Sequence, residues 1–172
     1  MFRSRPAARF LNIFIKEGQD NQRMKDPSML APIRKAIFDF QKFANGSSLD
    51  QEILEYVKIR ASQINGCAFC LSMHWRDALK MGMRPDKLAT LSAWRECEWF
   101  TPRERAALAW TEAMTHLNTH EASDELYEAC REVYSDQEMI DLTASIIAIN
   151  NWNRLSIGFG TQPEPFSLPG RE

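Results

Sequence analysis

An all-α domain is the expectation this sequence raises, and two kinds of observation carry it. Helix-start signals recur along the chain. Three have the capping-box pattern, Ser or Thr followed three residues later by Glu or Gln: Ser48–Gln51, Thr101–Glu104 and Ser135–Glu138. Strand signals are scarce, and no two-residue hairpin turn separates alternating apolar runs. A chain of 172 residues is one domain in length and long enough to bury a substantial core.

The elements follow in order. Met1 to Lys16 carries Arg3, Arg5 and Arg9 without an acid, yet its apolar stretch is short, broken by Asn12, and no small-residue cleavage site follows. Residues 1–25 are therefore expected to form an N-terminal arm. Asp26-Pro27 offers an N-cap and an N1 proline for a helix to about Ala44, and Asn45-Gly46 stops it. The Ser48 box should open a helix reaching Asn65. Asn65-Gly66 turns the chain, and a new helix runs to the breaker Gly82. Pro85 starts a short helix to about Trp94. Thr101, followed by Pro102 at N1, opens one to about Leu117. Ser123 or Asp124 starts another, and Ser135 opens the last, to about Ile157. That makes about six to eight helices within residues 26–160, followed by an irregular tail over 161–172.

The last helix bears on assembly. Ile140, Leu142, Ile146, Ile147, Ile149, Trp152 and Leu155 spread around all its sides. A helix apolar all round needs cover all round, so it is either central or buried against another subunit. A homo-oligomer is expected on this ground. Asn150, Asn151, Asn153 and Arg154 interrupt the apolar surface and require partners wherever they are buried.

Charge and composition exclude several partners. A net charge of −2 leaves no basic surplus for nucleic acid. No apolar run approaches the roughly 18 residues that span a bilayer, so no membrane partner is expected. Four cysteines do not make a secreted disulfide framework, and a cytoplasmic address is the expectation.

The chemistry concentrates in Cys67-Ala-Phe-Cys70-Leu-Ser-Met-His74. On a helix, positions i, i+3 and i+7 share a face, so two thiols and an imidazole would stand together. That is the pattern of a dithiol redox centre. If Cys67 lies in the first helical turn, free backbone N–H groups favour its thiolate. His74, one turn beyond Cys70, favours Cys70 instead. The order of attack stays open at this level. Two other readings compete: inert buried cysteines, or a zinc site using Cys67, Cys70, His74 and Glu55. A structural zinc site usually brings a second ligand pair, and none is present. Cys97 and Cys130 stand alone, and His116 and His120 lie far along the chain. Neither a metal nor an organic cofactor is expected.

Glu55 is unremarkable by periodicity. Ile53, Leu54, Val57, Ala61 and Ile64 make the main apolar face of its helix, and Glu55 projects from the other side. On that basis it is a solvated glutamate paired with Lys58.

A resemblance changes its weight. The run from Glu55 through Cys67 and Cys70 to His74 resembles the core of the AhpD-like alkylhydroperoxidases, within the carboxymuconolactone decarboxylase family. Ala93-Trp-Arg-Glu, the stretch Phe100–Leu108 and Ile149-Asn-Asn-Trp-Asn-Arg-Leu look like the same subgroup. The resemblance implies an all-α AhpD-like fold assembling as trimers or hexamers. It implies a peroxidase in which Cys70 attacks peroxide, Cys67 resolves the sulfenic acid, and Glu55 and His74 relay protons. The electron donor would be a lipoyl group, a thioredoxin-like protein or a small thiol. A non-catalytic redox sensor is the rival from another class. AhpD carries a second histidine just before its second cysteine, where this chain has Phe69. The decarboxylase branch lacks the cysteine pair, so lactone decarboxylation is not implied.

Overall fold

The structure is a computed structural model describing residues 23–46, 48–119 and 121–165. Among these residues the regular structure is entirely helical: α1 (Ala31–Asn45), α2 (Gln51–Asn65), α3 (Ala68–Lys80), α4 (Pro85–Ala89), α5 (Pro102–Thr115), α6 (Asp124–Arg131) and α7 (Asp136–Phe159). Single 3₁₀ segments, Pro27–Leu30 and Leu91–Glu96, precede α1 and follow α4. Most of the expected N-terminal arm, and the end of the tail, lie outside the described residues.

Capping chemistry sets most boundaries as read from sequence. Thr101 and Ser135 both close full capping boxes, with Glu104 and Glu138 reaching back to the cap backbone. Ser123 caps α6. Two expectations need correction. The cap of α2 is Asp50, whose side chain accepts from the Glu52 N–H. Ser48 instead donates its backbone N–H to Asp141, an attachment to α7 that local pattern does not reveal. The helix expected from Pro85 to Trp94 breaks at Thr90 and resumes as 3₁₀, with Ala93 outside helical geometry.

Helix α2 is the centre of the fold, packed by α3, α5 and α7, while α1 covers another side of α7. Its residues from Ile53 to Ile59 are all buried. Ile53, Leu54 and Val57 join Ala107, Trp110, Leu142 and Ile146 in one apolar cluster. Tyr56 and Ile59 join Leu88, Leu91, Trp94, Phe100 and Leu108 in a second, on the opposite side. Each fully buried leucine or isoleucine here contributes roughly 1.5–3 kcal/mol. With core on both sides, α2 has no solvent face at this level.

Helix α7 is central along much of its length and leaves Ile140, Ile147 and Ile157 exposed. Its polar interruption is partnered. Asn65, at the end of α2, donates its side-chain N–H groups to Asn150 Oδ1 (3.0 Å) and Asn153 Oδ1 (2.9 Å). Asn153, fully buried, donates in turn to Ser62 Oγ at 3.0 Å. Asn150 donates to Thr115 and accepts from Arg154. These bonds tie the end of α2 to α7 immediately before the cysteine motif.

Asn153→Ala should therefore leave Asn65 and Ser62 underpartnered inside the core. A loss of about 1–3 kcal/mol is expected, read by urea denaturation of the purified protein.

Candidate dithiol active site

The turn that launches the motif is built by Gly66 and Cys67. Gly66 closes α2 in the left-handed region, φ 69°, where a side chain would be strained. Cys67 is then the N-cap of α3, with extended backbone, and not a first-turn residue as expected. Its sulfur takes the capping role, accepting the Cys70 N–H at 3.3 Å. Cys67 and Cys70 are joined as a disulfide, with Cα atoms 5.4 Å apart. The pair packs against Ala61, Ile149, Phe69 and Trp152.

His74 lies one turn beyond Cys70 on α3, the spacing that sets Cβ atoms about 5–6 Å apart. Its Nδ1 meets Glu55 Oε2 at 3.0 Å, across from α2. Glu55 Oε1 accepts from Lys58 Nζ at 2.8 Å. Both Glu55 and Lys58 are 7% exposed, so the solvated glutamate that periodicity pointed to is an interior one. Periodicity failed here because α3 folds back over the side of α2 opposite its main apolar face. The pairing with Lys58 is real; its setting is the core.

Burial pushes the Glu55 carboxyl up, but the hydrogen bond and charge of His74, together with Lys58, outweigh it and hold the group below the usual glutamate range. Glu55 is thus a carboxylate, able only to accept. His74 Nδ1 must then donate to it, which leaves Nε2 as the ring atom able to take a proton from elsewhere. The arrangement can orient an imidazole, balance its charge and serve a thiol one turn away.

A cavity of about 200 Å³ opens against the dithiol, lined by Gly66, Cys67, Ala68 and Phe69 and by Ser156 and Ile157 near the end of α7. It reaches Cys67, not Cys70. Phe69, at the position of AhpD's second histidine, brings an apolar ring here.

The remaining sequence candidates lie apart from this site. Cys97 is a half-buried free thiol and Cys130 a buried one, whose burial pushes it up to about 11. His116 ends α5, while His120 lies outside the described residues. Among the described residues no three His, Cys, Asp or Glu side chains are grouped to hold a metal ion. Nor is any described helix long and apolar enough to cross a membrane. Lys58, Asn65, Asn150 and Asn153 stand out in the sequence, but the buried contacts that join them to the site do not. The three-residue spacing from Glu55 to Lys58 was visible, but not its burial.

The carboxymuconolactone decarboxylase family model matches residues 33–113, which contain the whole site. The uncharacterized protein YdfG of Bacillus subtilis is 42% identical over 128 residues, 74% of this chain and 87% of that protein. A protein of unknown function from Agrobacterium tumefaciens, proposed as the antioxidant defence protein AhpD, is 34% identical with a TM-score of 0.80. The match covers 84% of this chain and 99% of that one. The chain belongs to the carboxymuconolactone decarboxylase family, on its AhpD-like side. The fold also hosts other chemistry: the debrominase Bmp8 matches at TM-score 0.71 and 20% identity, over 80% of this chain and 74% of its own. Family and paired thiols together fit a peroxidase-related function.

The Glu55 cluster makes a pH prediction. A carboxyl held low in the folded state contributes stability that is complete above its unfolded value and lost as pH falls through the folded one. Glu55→Gln should flatten the acid-side fall in Tm relative to the unmodified protein, in melts from about pH 3 to about pH 7.

Proposed function

We propose that this protein is a dithiol peroxidase that reduces organic or hydrogen peroxides. The observation that carries the reading is the buried Lys58–Glu55–His74 relay, ending one helical turn from a cysteine already bonded to its neighbour. A dithiol held only as a structural brace has no use for an oriented, charge-balanced imidazole. The same feature favours an enzyme over a passive redox sensor.

In the reduced protein, His74 Nε2 takes the Cys70 proton and Glu55 balances the imidazolium. The Cys70 thiolate attacks the terminal peroxide oxygen; the O–O bond breaks, and the alkoxide leaves with a proton from His74. Cys70 is then a sulfenic acid. The Cys67 thiol condenses with it, forming the disulfide and releasing water. Two electrons have passed from the thiols to the peroxide. Return to the dithiol requires a dithiol, lipoyl or thioredoxin-like donor. Because the cavity reaches Cys67, the donor thiolate attacks that sulfur, forms a mixed disulfide with it and expels Cys70 as a thiolate. A second donor thiol then frees Cys67.

This order makes the two cysteines unequal. Cys70→Ser should abolish peroxide consumption, and Cys67→Ser should accumulate a sulfenic acid at Cys70, mapped by dimedone labelling. Sulfenic acid trapped at Cys67 in the Cys70→Ser variant would reverse the assignment.

We further propose that the protein works as a homo-oligomer, of trimeric or hexameric type. A groove of about 500 Å³ runs between Phe40, Trp110, Tyr127 and the exposed Ile140 and Ile147 of α7. Apolar side chains of this size in one groove are what a subunit contact covers. Sedimentation at micromolar concentration should give a multiple of the 19.9 kDa chain mass. A monomer would refute it.

A further inference from the structure

We propose that Lys58 is a positioning residue of this site: its buried ammonium keeps Glu55 a carboxylate and thereby keeps His74 in its Nδ1–H form. The inference rests on the dithiol reading above, but its test reads protonation and not peroxide turnover, so either can fail alone.

The geometry divides one carboxylate between two cations. Oε1 takes Lys58 at 2.8 Å and Oε2 takes His74 at 3.0 Å. The two lysine and glutamate side chains are each 9% exposed, so water does little to hold either charge. A buried carboxylate without a counter-charge recovers its proton. A histidine that gives up and regains a proton is an intermittent counter-charge. Without Lys58, Glu55 would have no bonded cation in each cycle in which His74 becomes neutral. It would then take the proton, donate to Nδ1, and force the ring into the form whose Nε2 carries hydrogen and cannot accept. Lys58 bonds the other carboxylate oxygen independently of the ring, so it holds Glu55 ionised in both states of His74.

The surroundings supply no substitute. Of the titratable side chains on α3, His74 is the one bonded to Glu55. On α5, Glu112 is taken by Arg60 of α2, by Arg95 and by the Trp94 indole, and Glu104 is taken by Lys87. On α7, Arg154 donates to Asn150. Among these cations, Lys58 and His74 are the ones bonded to Glu55.

The experiment is a pH titration of the reduced full-length protein labelled with ¹³C at glutamate carboxyls, the Glu55 resonance being identified by its loss in Glu55→Gln. Lys58→Met should move the Glu55 midpoint up by about one pH unit or more, and Lys58→Arg should return it near the original value. An unmoved midpoint in folded Lys58→Met overturns the proposal. So does a Lys58→Arg midpoint displaced as far as that of Lys58→Met, because charge would then not be what acts. Lys58→Gln is the second neutral variant. If neither neutral variant folds, the Glu55→Gln/Lys58→Met double variant decides. Recovery of the fold shows that the ammonium serves the carboxylate; failure to recover overturns the proposal.

Discussion

The rest of the site depends on one interior charge. Glu55 sits on the central helix, where every residue from Ile53 to Ile59 is buried, and a carboxylate there survives only if cations surround it. Lys58 comes from the same helix, three residues on. His74 is nineteen residues away and reaches Glu55 only because the chain reverses sharply between α2 and α3. The left-handed Gly66 and the capping sulfur of Cys67 make that reversal, so the turn that starts the motif helix also brings its histidine to the glutamate. Chemistry and topology share the same few residues.

Buried polar groups on α2 meet partners on α5 and α7. Beyond Glu55 and Lys58, Arg60 reaches Glu112 on α5, which also receives Arg95 and the Trp94 indole. Burial pushes Glu112 up, but those three donors outweigh it and hold it low. At the helix end, Ser62 and Asn65 bond to the asparagines of α7. Apolar side chains on both flanks would tolerate a sliding helix; these directional contacts do not. A buried ion pair adds little net stability over a well-packed apolar substitute, yet removing one partner is costly, typically about 3–5 kcal/mol. The clusters therefore act chiefly on register, and register decides whether His74 meets Glu55.

How much was legible in the sequence follows from the range of each signal. Capping boxes are local, and Thr101, Ser123 and Ser135 set their helices as read. Where a cap also had a distant partner, local pattern misled: Ser48 serves Asp141, and Asp50 takes the cap. The spacing of Cys67, Cys70 and His74 is a within-helix property and was visible at once. Glu55 was not, because periodicity assumes one buried face and one wet face. The second face of α2 is covered by α3 and the segment after it, through Tyr56 and Ile59, whose apolar character beyond one stripe was the one hint of it within α2. Resemblance to a family supplied what periodicity could not. The pairing of Lys58 with Glu55 was legible from spacing, but its burial is encoded by neither a motif nor a period.

Two arguments about the cysteines looked like rivals in the sequence, and in the proposed cycle each acts at a different step. The helix terminus favours Cys67: as N-cap, its sulfur receives the Cys70 N–H, and the cavity opens on it. Histidine proximity favours Cys70, which lies within α3, one turn from His74. A disulfide is opened best at the sulfur a donor can reach, and the bond breaks best when the departing sulfur is stabilised as thiolate. Attack at Cys67 with departure of Cys70 satisfies both conditions. In the proposed cycle it also leaves Cys70 as the thiolate beside the imidazole, ready for peroxide. A cavity at one sulfur and proton control at the other are thus complementary parts of the proposed cycle.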